Sequence, residues 1–259
     1  MRNGLDQRTG SAADGLPGLV ILDSVDSTNS HLAELWRSQE DLPAYKTVLA
    51  SFQTKGRGRL GRDWVSPAAT SLLCSILVPA KPELLTWIPL AAGLAAAESV
   101  RPKLPDLAVT LKWPNDILVG DSKVGGILTE HLGSRNGAEW VAVGIGINLT
   151  QGRSSLPPRY GSALPATSIT LEGGSALDPA PLAISIANRL TDVIRRLNED
   201  GASAVRASYE NLSWTLGQDV VVYLPGGTTS KGRAVSIGDD GALIIEDFSG
   251  NSQTIRAGD

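Results

Sequence analysis

Cysteine is nearly missing from this sequence: Cys74 stands alone among 259 residues. A disulfide within these residues is thereby excluded, and so is a zinc site built from several thiolates. Cys74 lies in the apolar run LLCSILV, where it reads as a buried structural thiol rather than a reactive one. Histidine is almost as scarce, with His31 and His131 only, and neither sits in a motif that supports a Ser-His-Asp triad or a histidine-rich metal site. No apolar run is long enough to span a membrane, and the leading MRNGLDQRTGSAADGLPG lacks a signal-peptide hydrophobic core. These absences predict a cytoplasmic protein with no membrane partner. A cationic excess is missing too: 23 Lys and Arg stand against 27 Asp and Glu, for a net charge of -4. That balance argues against a dedicated nucleic-acid binder and predicts no DNA partner.

Apolar residues make up 42% of the chain, so a sizeable core is available. Residues 1–18 are polar and read as a disordered lead-in. LVILDSVDSTNSHLAELW predicts a strand, a turn and a helix capped by Ser27 or Thr28, with Leu32, Leu35 and Trp36 on its buried face. TVLASFQT and TSLLCSILV read as strands, and TWIPLAAGLAAAESV as an alanine-rich helix that tolerates Pro89 in its first turn. LAVTLKWPNDILV alternates up to Trp113, where Pro114 stops the strand; KVGGILTEHL and EWVAVGIGINLT form a hairpin around GSRNG. Two helices follow, near 179–199 and around Val205 and Tyr209. From about Leu216 the pattern changes to short strands separated by Gly-Gly, Asp-Gly and Gly-Asn turns, the signature of a small SH3-like barrel. The expected division is a main domain over 19–214 and the barrel over 215–259.

One strand carries a particular signal. Val141, Val143, Ile145, Ile147 and Leu149 share one face, while Ala142, Gly144, Gly146 and Asn148 share the other. The second face carries almost no side chain, so a closely packed helix or a ligand must lie against it.

The chemistry concentrates in three polar stretches: DSTNS, QTKGRGRLGRDW and KWPNDILVGDSKVGG. Each alone has a plain reading, as a helix cap, a solvated loop and a strand-ending turn. Glycines 56, 58 and 61 nevertheless let the backbone approach a ligand, and Arg57, Arg59 and Arg62 can grip phosphate or carboxylate at two points. The loop is neither a P-loop nor a dinucleotide fingerprint. Lys112 and Lys123 add two cations in a chain with seven lysines, and aromatic residues for base stacking are missing apart from Trp64. A small dianion or polyphosphate suits this set better than a polynucleotide.

Taken in order, DSTN, QTKGRGRLGRDW, KWPNDI, KVGGIL and GIGINL closely resemble the motifs of bacterial biotin protein ligases, over roughly residues 20–259. The resemblance implies an α+β fold: a mixed-sheet, biotin/lipoate ligase-like catalytic domain, similar to class II aminoacyl-tRNA synthetases, with the small barrel appended. It implies two steps. Biotin's carboxylate attacks the α-phosphate of ATP to give biotinyl-5′-AMP and pyrophosphate; a lysine of a biotin carboxyl carrier protein then takes the biotinyl group and AMP leaves. By the same resemblance, Ser27, Thr28, Asn29, Gln53 and Gly56 line the biotin pocket with Arg57, Gly58 and Arg59, and Lys123 reaches the carboxylate. Gly125 and Gly126 let the wall come close. Arg57, Gly58, Arg59, Trp64, Lys112, Asn115, Asp116 and Asn148 surround the nucleotide. Lys123, Arg57 and Lys112 are the expected catalytic cations, and Asp116 the expected carboxylate for Mg²⁺. Because only residues 1–18 precede the first strand, a form without a DNA-binding helix-turn-helix is expected. Relatives usually continue beyond IRAGD, which predicts an incomplete last barrel strand. The rival from the same fold is a lipoate ligase or octanoyltransferase; the rival from another class is a nucleic-acid-binding module using the GRGR loop.

Overall fold

Alternation and apolar runs build two sheets in the computed structural model, which describes residues 7–9, 18–158 and 164–258. The larger sheet has eight strands: β1 (Gln7–Thr9), β2 (Leu19–Leu22), β3 (Thr47–Ala50), β4 (Ser71–Ala80), β5 (Val109–Lys112), β6 (Asp116–Val119), β7 (Ser122–Arg135) and β8 (Ala138–Asn148). Their order is β1-β2-β3-β4-β8-β7-β6-β5. The β2–β3 pair is parallel and the other pairs are antiparallel, so the sheet is mixed. Strand β1 corrects the expectation of a disordered lead-in at residues 7–9, which pair with β2. The rest of that expectation, at 1–6 and 10–17, lies outside the described residues.

Parity along β4 and β8 sorts the helices onto opposite faces. Leu72, Cys74, Ile76 and Val78, with Val141, Val143, Ile145 and Ile147, face α2 (Ile88–Val100) and α3 (Pro179–Asp200) in the main core. Helix α2 buries almost its whole surface, which its alanines permit: small side chains let it sit close to both sheet and α3. Helix α3 buries one stripe, from Leu182 through Ile186 and Leu190 to Leu197. On the opposite face, α1 (Thr28–Ser38) packs Leu32 and Trp36 against Val48, Leu77 and Ala142. Ser27 occupies its N-cap position, but neither Ser27 nor Thr28 caps through its side chain. Helix α1 covers only part of this face, and the uncovered part is where the polar motifs converge.

Helix α4 (Ser203–Glu210) leads to an antiparallel meander of β9 (Asp219–Tyr223), β10 (Thr229–Ile237), β11 (Leu243–Glu246) and β12 (Ser252–Ile255), an SH3-like arrangement. Strand β12 pairs with β11 from Ser252 to Ile255. The β10–β11 turn docks on the main core. The indoles of Trp87 and Trp113 donate to the carbonyls of Asp239 at 2.7 Å and Gly241 at 3.1 Å, and Arg206 pairs with Asp239. No described helix is long and apolar enough to cross a membrane.

Candidate active site

Register brings the motifs together. Across the uncovered face, Leu73, Gly146, Gly126, Asp116 and Lys112 form one row over β4, β8, β7, β6 and β5. Ser75, Gly144 and Leu128 form the next row, and Leu77, Ala142 and Glu130 a third. Paired residues share a face, so the glycines make a floor of bare main chain between side-chain walls.

Of the two alternatives for that floor, a helix or a ligand, the structure shows helix α1 over one part, and the arginine loop lies over another. Asn29, in the first turn of α1, lies over Gly144, where a Cβ would come within 2.7 Å of its Oδ1. The Trp64 indole lies over Gly146, where a Cβ would stand 2.7 Å from the ring, and it borders Gly126. Around them a cleft of about 120 Å³ is lined by Ser27, Thr28, Asn29, Gln53, Arg57, Gly58, Arg59, Trp64, Asn115, Asp116, Lys123 and Gly126. Of the residues expected from sequence, Gly56, Lys112, Gly125 and Asn148 do not line it. Gly56 is packed behind the loop, with Trp64's carbonyl 2.3 Å from where a Cβ would be. Gly125 faces the core, against Ile117 and Ile147. Lys112 lies one strand beyond Asp116 on edge strand β5. Asn148 is buried with its amide engaged by Thr167 and Gln151.

A buried hydrogen-bond network fixes the cleft's narrow end. The Ser75 hydroxyl is 2.6 Å from Asn29 Oδ1 and 2.7 Å from Thr28 Oγ1. Asn29 Nδ2 donates to the Leu128 carbonyl at 3.2 Å and to Glu130 at 2.7 Å, so all its polar capacity on that side is committed. Gln53 Oε1 accepts from the Thr28 amide at 2.7 Å and its hydroxyl at 3.0 Å, leaving the Gln53 amide nitrogen as the end that can face a ligand. Ser75 and Glu130 escaped the sequence reading. The available signals were a serine inside an otherwise apolar strand and a glutamate with the same parity as Gly126.

The loop closes over the other end. Gly58 N donates to the Arg62 carbonyl at 2.7 Å and Trp64 N to the Gly56 carbonyl at 2.9 Å, folding 56–64 back on itself. Leu60 sits at its tip in left-handed conformation, φ 56°, with its side chain exposed. Arg57 pairs with Glu130 at 2.8 Å. Arg59 donates to Asn115 Oδ1 at 2.7 Å and to the Gly258 carbonyl at 3.1 Å, tying the loop to the KWPN turn and to the end of the small barrel. Asn115 is oriented in turn by its amide bond to the Ile127 carbonyl at 3.1 Å. Lys123 Nζ lies 2.6 Å from Asp116 Oδ1. Cys74 is buried below the floor, and burial pushes its thiol up to about 12. A second cavity, of about 250 Å³, shares Arg59, Asn115, Ile127 and Leu128 with the cleft and reaches Asp240 and Arg256 of the small barrel.

The described residues hold no cluster of three His, Cys, Asp or Glu that could ligate a metal by itself. Asp116 as a single carboxylate fits Mg²⁺, which takes one or two protein carboxylates and completes its shell with phosphate oxygens and water.

A mixed sheet with helices on both faces, an appended antiparallel barrel and a cleft bearing arginine and lysine over a glycine floor define an α+β protein whose site suits an anionic ligand. The chain belongs to the biotin/lipoate A/B protein ligase family, whose model matches residues 21–148, together with relatives at high coverage. It is 34% identical over 260 aligned positions to the biotin–[acetyl-CoA-carboxylase] ligase of Mycobacterium tuberculosis, covering 98% of this chain and 92% of that one. It is 30% identical to the bifunctional ligase/repressor BirA of Escherichia coli, covering 88% and 69%. Among solved structures, the biotin protein ligase of Aquifex aeolicus in complex with biotin and ATP superposes with TM-score 0.75 at 27% identity, covering 94% and 97%. The Leishmania major enzyme in complex with biotinyl-5-AMP gives 0.66 at 28%, covering 93% and 100%.

Proposed function

We propose that the protein is an AMP-forming biotin protein ligase. The observation that carries this reading is the convergence of Lys123, Arg57 and Arg59 on one cleft whose narrow end is lined by the uncharged, hydrogen-bonded side chains of Thr28, Asn29 and Gln53. A ligand with a polar uncharged head and an acidic tail matches that polarity, and biotin has this form. The head lies against Thr28, Gln53 and the glycine floor, where the Gln53 amide nitrogen donates to an acceptor on it. The carboxylate end reaches Lys123.

In the first step a carboxylate oxygen attacks the α-phosphate of ATP, the bond to the bridging oxygen breaks, and pyrophosphate leaves. Carboxylate and triphosphate repel each other, so the work is positioning and charge neutralisation. Lys123, restrained by Asp116, lies between the two anions; Arg57 and Arg59 hold the nucleotide from the loop side, with Asn115 fixing Arg59. Lys112 supplies more distant positive potential from the edge of the same row. Mg²⁺, when bound at Asp116, offsets charge on the phosphates. In the second step the amine of an acceptor lysine attacks the acyl carbon and AMP departs; the acceptor is a biotin carboxyl carrier protein. No nucleophilic side chain of the enzyme takes part, in keeping with the scarcity of His and Cys. We assign catalysis to 19–214 and a supporting role to the barrel at 215–259, through the Arg59–Gly258 contact.

The test is pyrophosphate release from ATP with biotin, with lipoate and without acid. Release with biotin, followed by biotin transfer to a carrier domain, is expected. Release with lipoate alone would assign the chain to the lipoate branch.

A further inference from the structure

Glu130 lies outside every motif of the sequence, yet one of its oxygens joins three elements of the cleft. Oε2 accepts from Asn29 Nδ2 of α1 at 2.7 Å and from Arg57 Nη2 of the loop at 2.8 Å, and Glu130 itself stands on β7. The Ser30 hydroxyl, also on α1, accepts from the same Arg57 nitrogen at 3.1 Å. Both of these bonds use Nη2, so Nε–H and Nη1 remain as single donors that an oxyanion can engage one at a time. Stability does not account for the pair: the Arg57 side chain is 45% exposed and that of Glu130 31%, and ion pairs so exposed contribute little to folding. Nor does solubility, since Glu130 shares a row with buried Leu77 and Ala142.

We propose that Glu130 is a positioning residue for adenylation, setting the orientation of Arg57 and Asn29 together before substrates arrive. An arginine left to itself samples many rotamers, and each must be given up as the phosphate is engaged. A carboxylate anchored to the sheet removes most of that search. It also couples the two ends of the cleft, because the atom that holds Arg57 at the phosphate end holds Asn29 at the narrow end. This inference rests on the ligase reading above.

The test compares Glu130→Ala and Glu130→Gln with the parent in biotin-dependent pyrophosphate release, thermal unfolding and amide exchange of residues 55–64 without ligand. Glutamine keeps an oxygen able to accept both bonds. Alanine is expected to lower kcat about tenfold or more, with Tm nearly unchanged and faster exchange across 55–64. Glutamine is expected to stay within about threefold of the parent in kcat, with exchange restored. A parental kcat and parental loop exchange in Glu130→Ala would overturn the proposal. So would equal loss in both variants accompanied by a large fall in Tm, which marks a structural role. If the parent releases no pyrophosphate with biotin, the ligase reading fails by itself, and loop exchange in Glu130→Ala alone decides the positioning role.

Discussion

Lys123 is held at both ends. Its backbone bonds to Pro165 and Thr167 at 2.8 Å each, and its ammonium meets Asp116 at 2.6 Å. A lysine so fixed brings its charge to the reacting centre without rearrangement. Lys123→Ala is therefore expected to cost roughly 3 kcal/mol in adenylation, a hundredfold or more in rate. Arginine should rescue only in part, because its planar fork is longer and seeks two partners. Pyrophosphate release measures both, and a Lys123→Ala rate within about threefold of the parent would reduce this lysine to scaffold. Cys74 gives the opposite case, a reactive side chain that the fold silences. With its thiol raised to about 12 and no exposure, it should resist thiol reagents at pH 8.5 in the folded protein and react fully in denaturant. Labelling of the native protein at the rate of a free thiol would contradict that burial.

At the scale of elements, the bare face of β8 is the informative object. Its period-2 pattern was legible in sequence, and so was the need for something to lie on it. Whether a helix or a ligand met it was not, because that depends on where Asn29 and Trp64 arrive from distant segments. Both arrive, at Gly144 and Gly146 respectively. Gly146→Ala places a methyl group 2.7 Å from the Trp64 ring and must push the indole off the floor. The expected result is a red-shifted tryptophan emission and biotin binding weakened about tenfold or more, with the fold retained. Titration with biotin by calorimetry tests it, and unchanged affinity would place the ligand elsewhere. The arginine loop and the KWPN turn each had a plain reading alone and stood out only as members of an ordered set of motifs, which the sheet register brings to one cleft. Glu130 and Ser75 did not stand out, since a single glutamate or serine in a strand has many uses. Register, which only the paired sheet supplies, gave them meaning. Lys112 shows the reverse limit: its motif neighbours Asn115 and Asp116 reach the cleft, while the geometry of edge strand β5 keeps Lys112 outside it.

The whole molecule is held as one body by hydrogen bonds that cross from core to barrel. The Trp87 indole is fully buried and donates to the Asp239 carbonyl, and Glu210 accepts from the Ile237 amide at 3.0 Å. Trp87→Phe deletes one such donor and some ring volume, an expected loss of about 2 kcal/mol. Calorimetry should show a single transition moved down by several degrees, because barrel and core share the broken contact. Adenylation at low temperature should be unaffected, since Trp87 is not part of the cleft lining. Two separate transitions, one at the parental midpoint, would show that the units unfold independently.

The glycine floor also constrains how this pocket can change over generations. A surface made of main chain offers no side chain to exchange, and any inherited change at 144 or 146 adds atoms where the nearest neighbour stands at 2.7 Å. Depth is thus frozen while breadth stays open to variation. New acid preferences must come from the walls, at Thr28, Gln53, Leu73 and Leu128. Selection from a library randomised at those four positions should yield altered acyl substrates, whereas one randomised at 144 and 146 should return glycine.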